Sequence, residues 1–257
     1  MITLLTDFGT ADAYVGIIKG VIASHSPTTP LIDLTHHIPP QDLQAARFHL
    51  LNAFPYFPRG TIHLVIVDPG VGSQRRPVAL KLAGGYLVGP DNGILSGVGD
   101  RYPVQQAVTL DLPTYWRTPN PSPTFHGRDI FAPVAGYLAT GIPLGALGTA
   151  ISPESLMRLD IPPVKTNPLG LEGCIQAIDH FGNGITTIAA EHLGDRPWQV
   201  VLGATSIPQA TTYASVSPDQ PLALVGSHGW LEIAVNQGNA QAQLGLTRGD
   251  RVTLVWI

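Results

Sequence analysis

The sequence predicts an α/β domain followed by a smaller all-β domain. Its first half alternates short apolar strands with helical stripes, whereas its second half has apolar runs separated by polar or glycine-rich turns and no convincing helix. A stretch with three prolines lies between the halves. We therefore expect an N-terminal α/β domain over residues 1–160, with a central mixed sheet flanked by helices, a linker over 161–170 and a C-terminal β-barrel-like domain over 171–257.

Apolar runs place the elements of the first domain. The predicted strands cover 2–6, 31–34, 61–67, 78–82, 86–88 and 104–112, and the predicted helices cover 12–24, 40–54 and 129–138. Asp12 is expected to cap the first helix. Strand 61–67 alternates weakly, which suits a parallel strand covered on both faces, and the strands after it follow without helices. The sheet should therefore be partly parallel and partly antiparallel.

The second domain shows strand patterns throughout. The predicted strands cover 173–178, 184–189, 198–202, 222–225, 230–234 and 252–256. Short strands at this spacing are typical of a small barrel or sandwich.

Composition excludes several classes of protein. Hydrophobic residues make up 44% of the chain and charged residues 12%, which indicates a well-buried core and surface hidden by self-association. The net charge is −4, so the chain lacks the basic surface with which proteins bind nucleic acid. No apolar stretch reaches the roughly 18 residues that span a bilayer. The first residues form a strand rather than a signal peptide, and a single cysteine, Cys174, excludes internal disulfides, so we expect a cytoplasmic protein.

The most informative segment covers residues 65–76. A buried-type strand ends in Asp68, a turn with Gly70 and Gly72 follows, and Arg75 and Arg76 come next. Open α/β sheets bind ligands at the carboxyl ends of their strands, and a nearby arginine favours the ionised form of a carboxylate. The alternative is that Asp68 and one of the arginines form an ion pair that only stabilises the turn. We favour a reaction centre, because the two glycines let the backbone approach a ligand closely.

Other polar side chains are weaker candidates. Asp7 ends the first strand, where a carboxylate can accept hydrogen bonds from a ribose diol, although a cap or turn role is the more common one. His126 precedes a predicted helix and suits a general base or polar anchor, roles that most single histidines lack. Asp91 fits a structural turn. His36 and His37 are adjacent and point apart in a strand, and no third ligand stands out, so we expect no metal site.

Residues 179–183 combine a carboxylate, an aromatic ring and an amide between two strands. Asp179, Phe181 and Asn183 suit the binding of a purine or an amino acid, and an ordinary hairpin turn is an equal alternative.

These segments together resemble the S-adenosylmethionine hydroxide adenosyltransferase family, whose members hydrolyse S-adenosylmethionine and are related to the fluorinases and chlorinases. The resemblance spans essentially the whole chain. The segments that support it are Thr6–Gly9, Tyr14–Gly16 with Lys19 and Gly20, Asp33–His36, Val67–Ser73, Pro90–Gly93, Phe125–Asp129, Asp179–Asn183, Asn236–Gly238 and Leu244–Leu246.

The resemblance implies roles for particular residues. The family's catalytic aspartate, arginine and histidine fall on Asp68, Arg75 and His126. Asp7 matches the ribose-binding aspartate. Further matches to substrate-binding positions are Asp179, Phe181, Asn183 and Ser227. In the halogenating relatives an arginine follows the serine that matches Ser227, whereas this chain has His228. The contacts to adenine and carboxylate at that end of the substrate are therefore not carried over to this chain.

The resemblance also implies an assembly and a reaction. The family forms homotrimers that hold the substrate between the N-terminal domain of one subunit and the C-terminal domain of its neighbour. The expected reaction is attack of an activated water on the ribose 5′ carbon, which yields adenosine and L-methionine without a cofactor or metal. The alternatives are a non-catalytic S-adenosylmethionine or adenosine sensor and a halogenase of the same superfamily. The halogenases have an uncharged residue at the position of Asp68, which argues against halogenation here.

Overall fold

Seven strands of the first unit form one mixed sheet. The computed structural model describes all 257 residues, which divide into units Met1–Leu159 and Asp160–Ile257. The strands are β1 (Ile2–Thr6), β2 (Leu31–Thr35), β3 (Thr61–Ile66), β4 (Pro77–Leu82), β5 (Gly85–Pro90), β6 (Val104–Thr109) and β7 (Thr149–Ile151). Their order is β2-β1-β3-β5-β4-β6-β7, in which β2, β1, β3 and β5 are parallel and the remaining pairs are antiparallel. The predicted mixed sheet is confirmed, and every residue of β3 is buried as expected.

Four helices belong to this unit. They are α1 (Tyr14–His25), α2 (Leu43–Ala53), α3 (Ser96–Arg101) and α4 (Ala132–Ala139). Helix α2 begins later than predicted, because Asp42 is its N-cap and accepts a hydrogen bond from the amide of Ala45 at 2.9 Å. The prediction that Asp12 caps α1 was wrong, since Ala13 precedes the helix and no side chain caps it.

One part of the core of the first unit lies between the sheet and the helices α1 and α4. Ile18 and Ile22 of α1 and Val134 of α4 are fully buried against strand residues such as Leu64. Helix α1 follows the carboxyl end of β1 along the chain, so its packing holds the connection that begins at Asp7 at that edge of the sheet.

His63 is a buried titratable group on the other face of the sheet, since it alternates along β3 with Ile62 and Leu64 of that core. Its Nδ1 lies 2.8 Å from the Thr3 hydroxyl, and the rings of Phe54 and Phe57 surround it. Burial lowers the pKa of His63 from 6.5 to about 4. Between these two values the unfolded chain binds a proton that the folded chain does not, so the free energy of unfolding falls as the pH falls through this window.

We expect His63 to make the protein sensitive to mild acid. The stability loss between pH 6.5 and 4 should reach roughly 3 kcal/mol from this group alone. Urea unfolding of wild type and His63→Gln across that range measures it, and the variant should show a correspondingly shallower pH dependence. Identical pH dependence in both proteins would contradict the assignment.

Eight strands form the antiparallel sheet of the second unit. They are β8 (Lys165–Asn167), β9 (Gly170–Ile178), β10 (Gly184–Ala189), β11 (Trp198–Leu202), β12 (Thr205–Pro208), β13 (Pro221–Val225), β14 (Trp230–Val235) and β15 (Arg251–Trp256). The order is β12-β11-β15-β9-β10-β14-β13, with β8 paired to β9. A bridge between Gln209 and Ala223 joins the two ends of the sheet, which makes it nearly closed. The predicted barrel-like fold is confirmed.

One short helix corrects the expectation of an all-β second half. Helix α5 (Ala240–Leu244) is capped by Asn239, which accepts a hydrogen bond from Ala242, and it ends at Gly245 with φ of 68°. Five residues are too few to produce a periodic apolar stripe, so sequence patterning misses such a helix. No helix of the structure is both long and apolar enough to cross a bilayer.

Candidate active site

Three carboxylates follow the ends of neighbouring parallel strands. Asp7 follows β1, Asp68 comes two residues after β3, and Asp91 follows β5. Since β1 pairs with β3 and β3 with β5 in parallel, all three lie at one edge of the sheet. This edge is where open α/β sheets bind ligands.

Asp68, Arg75 and His126 form one hydrogen-bonded group. Arg75 Nε donates to both carboxylate oxygens of Asp68, at 2.9 and 3.0 Å, and its Nη2 donates to Asp68 Oδ2 as well. The same Nη2 lies 2.9 Å from Nδ1 of His126. The side chains of Asp68 and Arg75 are only 7% and 8% exposed. The three residues predicted as catalytic are therefore brought together.

The direction of these hydrogen bonds fixes the protonation of His126. A guanidinium has donors only, so Nδ1 of His126 must accept, and the proton of the neutral ring lies on Nε2. Burial, and then the positive charge of Arg75, hold the pKa of His126 below its ordinary value, although Asp68 and Asp129 oppose them. The ring is thus neutral near pH 7 and presents an N–H donor.

Arg76 forms a separate ion pair. Its Nε and Nη2 donate to Asp91 Oδ2 at 2.9 and 2.5 Å, and Asp91 is buried. The residue pattern alone left either Arg75 or Arg76 as the partner of Asp68, the family resemblance implied Arg75, and the structure pairs Asp68 with Arg75. Asp91 is more than the turn residue expected, since its Oδ1 also accepts from the amide of Met157.

A buried carboxylate supports the loop that holds His126. Asp129 is fully buried and accepts hydrogen bonds from Arg117 Nε at 2.8 Å, from Arg128 Nε and Nη2 at 2.7 Å each, and from the amide of Ser122 at 2.9 Å. The hydrogen bonds from the two arginines and Ser122 outweigh burial and hold the pKa of Asp129 well below its usual range. The segment from Arg117 to His126 is therefore tied to the π-helical segment Gly127–Phe131, which precedes α4.

Gly72 brings the Asp68 turn against that loop. Its φ is 79°, and a Cβ at this position would lie 2.4 Å from the carbonyl oxygen of Pro123. Only glycine permits both the left-handed backbone and the close approach. The sequence expected these glycines to admit a ligand, whereas Gly72 admits the His126 loop.

The site faces a cavity of about 300 Å³ in the first unit. Asp7, Asp68 and His126 line it, whereas Arg75 stands behind Asp68 and His126. The remaining lining residues are Phe8, Gln41, Ile66, Pro69, Val71, Thr124, Phe125 and Gly127. Rings of Phe8 and Phe125 lie 5.9 Å apart at a steep angle, which gives this polar centre an aromatic wall.

Gln41 was missed by the sequence analysis. It belongs to the cavity wall, and its backbone N–H donates to Asp7 Oδ2 at 2.9 Å. Its backbone is left-handed, with a φ of 66°. Residues other than glycine rarely adopt this conformation, so the sequence does not predict it here. The sequence analysis placed Gln41 inside the predicted helix 40–54, whereas the structure places it in a turn before α2.

The predicted binding residues of the second unit occupy two loops. Asp179 Oδ1 accepts from the amides of Phe181 and Asn183 at 2.9 and 2.8 Å, and Oδ2 accepts from Asn183 Nδ2 at 3.0 Å. These bonds fix the loop between β9 and β10 and leave the Phe181 ring 71% exposed. Ser227 lies in the loop between β13 and β14, next to His228, whose Nε2 is 3.0 Å from the buried carboxylate of Glu232.

His36 contacts polar side chains through both of its ring nitrogens. His36 is buried, with Nδ1 2.9 Å from the Thr6 hydroxyl and Nε2 3.0 Å from Asp33. No group of three or more histidine, cysteine, aspartate or glutamate side chains is placed to hold a metal ion.

Comparison with known proteins identifies relatives that match almost the whole chain. Curated proteins include an (R)-S-adenosyl-L-methionine hydrolase of Salinispora tropica, 40% identical over 98% of this chain and 96% of the relative, and a fluorinase of Actinoplanes sp., 27% identical over 99% and 97%. A crystal structure of an uncharacterized conserved protein from Thermotoga maritima superimposes with a TM-score of 0.92 at 35% identity, covering 99% of this chain and 100% of that one. The models for the N-terminal and C-terminal domains of SAM hydroxide adenosyltransferases match residues 2–148 and 173–253, and the chain therefore belongs to the SAM hydroxide adenosyltransferase family.

Proposed function

We propose that this protein hydrolyses S-adenosyl-L-methionine to adenosine and L-methionine. The hydrogen-bonded group of Asp68, Arg75 and His126, of which Asp68 and His126 line the cavity, is the observation that supports the proposal most strongly. The curated relatives named (R)-S-adenosyl-L-methionine hydrolase support the choice of substrate.

The hydrogen bonds suggest how one water is activated. Arg75 donates hydrogen bonds to Nδ1 of His126 and to both carboxylate oxygens of Asp68. Because a carboxylate can accept about four hydrogen bonds, Asp68 can still accept one from a water. Nε2–H of His126 can donate to the same water. Asp68 is then the group that draws the proton away, His126 orients the water, and Arg75 aligns both side chains.

The reaction balances without a cofactor. The water oxygen forms a bond to the ribose 5′ carbon while the bond from that carbon to sulfur breaks. The electron pair goes to the sulfonium, which leaves as the neutral thioether of methionine, and one proton is released. A good leaving group needs neither a general acid nor a metal, so we propose that the enzyme uses no cofactor.

Two physical terms account for the rate. In-line alignment of water, carbon and sulfur contributes several kcal/mol by effective-molarity estimates. General-base assistance adds roughly 10²–10⁴-fold. The carboxylate of Asp68 also disfavours a halide in the water's place, because two anions would then meet in a buried site.

The proposal includes the oligomeric state of the protein. The family resemblance implies a homotrimer whose substrate contacts Asp7 in one subunit and the loops of Asp179, Phe181, Asn183 and Ser227 in its neighbour. The cytoplasmic location expected from the sequence stays a prediction.

The test is incubation of the purified protein with S-adenosyl-L-methionine, without added metal and then with a chelator. Chromatography should show equimolar adenosine and methionine in both cases. Binding of S-adenosyl-L-methionine without release of products would identify a sensor instead, and loss of activity with the chelator would contradict the metal-independent mechanism.

A further inference from the structure

Gln41 occupies a backbone position that suits glycine. The amide of Asp42 donates to the carbonyl oxygen of Pro39 at 3.0 Å, and the two residues between are Pro40 and Gln41, whose φ is 66°. A proline followed by a residue of positive φ is the arrangement of a type II turn, whose third position favours glycine or asparagine. A glutamine there is strained, and such strain is retained mainly at functional sites.

The backbone of Gln41 orients Asp7. Its N–H donates to Asp7 Oδ2 at 2.9 Å, and no protein group donates to Asp7 Oδ1. Both residues line the cavity that contains Asp68 and His126. One carboxylate oxygen is therefore fixed by the protein and the other is free for a ligand.

The hydrogen bond to Asp7 does not explain why the residue is glutamine. A glycine would supply the same N–H without strain. Compared with glycine, glutamine adds a side-chain amide, which has a hydrogen-bond donor and an acceptor and lies beside Asp7 on the same cavity wall.

We infer that the Gln41 side chain is a second sugar-binding group, which contacts one hydroxyl of a ribose diol while Asp7 Oδ1 accepts from the other. The inference rests on the nucleoside site of the proposed function. It makes Gln41 a specificity residue that distinguishes ribonucleosides from deoxyribonucleosides.

The test is direct titration of adenosine, 2′-deoxyadenosine and 3′-deoxyadenosine into wild type, Gln41→Ala and Gln41→Gly. Both variants should bind adenosine about three- to tenfold more weakly, the range for one lost hydrogen bond. For one of the two deoxynucleosides, the variants should bind as wild type does, because that ligand lacks the hydroxyl that Gln41 contacts. Gln41→Gly keeps the N–H and removes the strain, so it should fold at least as well as wild type.

Gln44→Ala is the matched control, since Gln44 is an exposed glutamine on α2 outside the cavity wall, and it should bind all three ligands as wild type does. Wild-type affinity for adenosine in Gln41→Gly, or an equal loss for all three nucleosides, would overturn the inference. Hydrolysis of S-adenosyl-L-methionine by wild type is assayed separately. Hydrolysis without any effect of Gln41 on nucleoside binding rejects only the sugar contact, and the expected nucleoside selectivity without hydrolysis rejects only the proposed activity.

Discussion

Asp68→Asn should lower the turnover of S-adenosyl-L-methionine by about 10²–10⁴-fold, the usual contribution of a general base. Asparagine keeps the shape of the side chain but removes the charge that draws a proton from the water. It also places an amide donor against Arg75, which has donors only. The substrate should still bind, because its affinity does not depend on the proton acceptor, and calorimetric titration measures this separately from turnover.

Asp91→Asn is the matched control for this experiment. Asp91 also follows a parallel strand and pairs with an adjacent arginine, but it does not line the cavity. It should lower stability, with a far smaller effect on turnover per folded molecule. Equal loss of turnover in both variants, or unchanged turnover in Asp68→Asn, would contradict the role of Asp68.

Asp129→Asn should have the largest effect on stability. The change leaves Arg117 and Arg128 facing a buried neutral amide, since both donate to this fully buried carboxylate. Breaking a fully buried ion pair costs about 3–5 kcal/mol, and because the two arginines are 46% and 29% exposed we expect about 2–3 kcal/mol. Thermal unfolding should show a midpoint lower by about 5–10 °C.

The same variant should also affect catalysis, because Asp129 ties down the loop that ends at His126. Asp12→Asn is the control, since Asp12 is exposed, and it should change stability by less than about 0.5 kcal/mol. An Asp129→Asn midpoint equal to that of Asp12→Asn would show that the buried ion pairs do not stabilise the loop.

The sequence predicted those parts of the fold that depend on long apolar patterns. Strand β3 and six of the eight strands of the second unit were found because burial on one or both faces leaves a pattern in the sequence. The mostly exposed strands β8, which lies in the predicted linker, and β12 were missed. Short elements such as α3 and α5 were missed, because five or six residues do not complete two helical turns.

The candidate site was predicted in part for the same reason. Asp7 and Asp68 were identified because each follows an apolar strand, and their proximity follows from parallel pairing of β1 and β3. The residue pattern alone left Arg75 and Arg76 open as the partner of Asp68, because both follow the same turn, and only the family resemblance pointed to Arg75 before the structure. Gln41 could not be found, because its role depends on a left-handed backbone in a residue that rarely adopts one.

The most direct test of the account is the fate of the water oxygen. S-adenosyl-L-methionine turned over in water enriched in heavy oxygen should give adenosine with one labelled oxygen on its 5′ carbon and unlabelled methionine. Unlabelled adenosine, or a product in which adenosine keeps the sulfur while the amino-acid chain gains the label, would contradict attack at the 5′ carbon by a water that Asp68, Arg75 and His126 position.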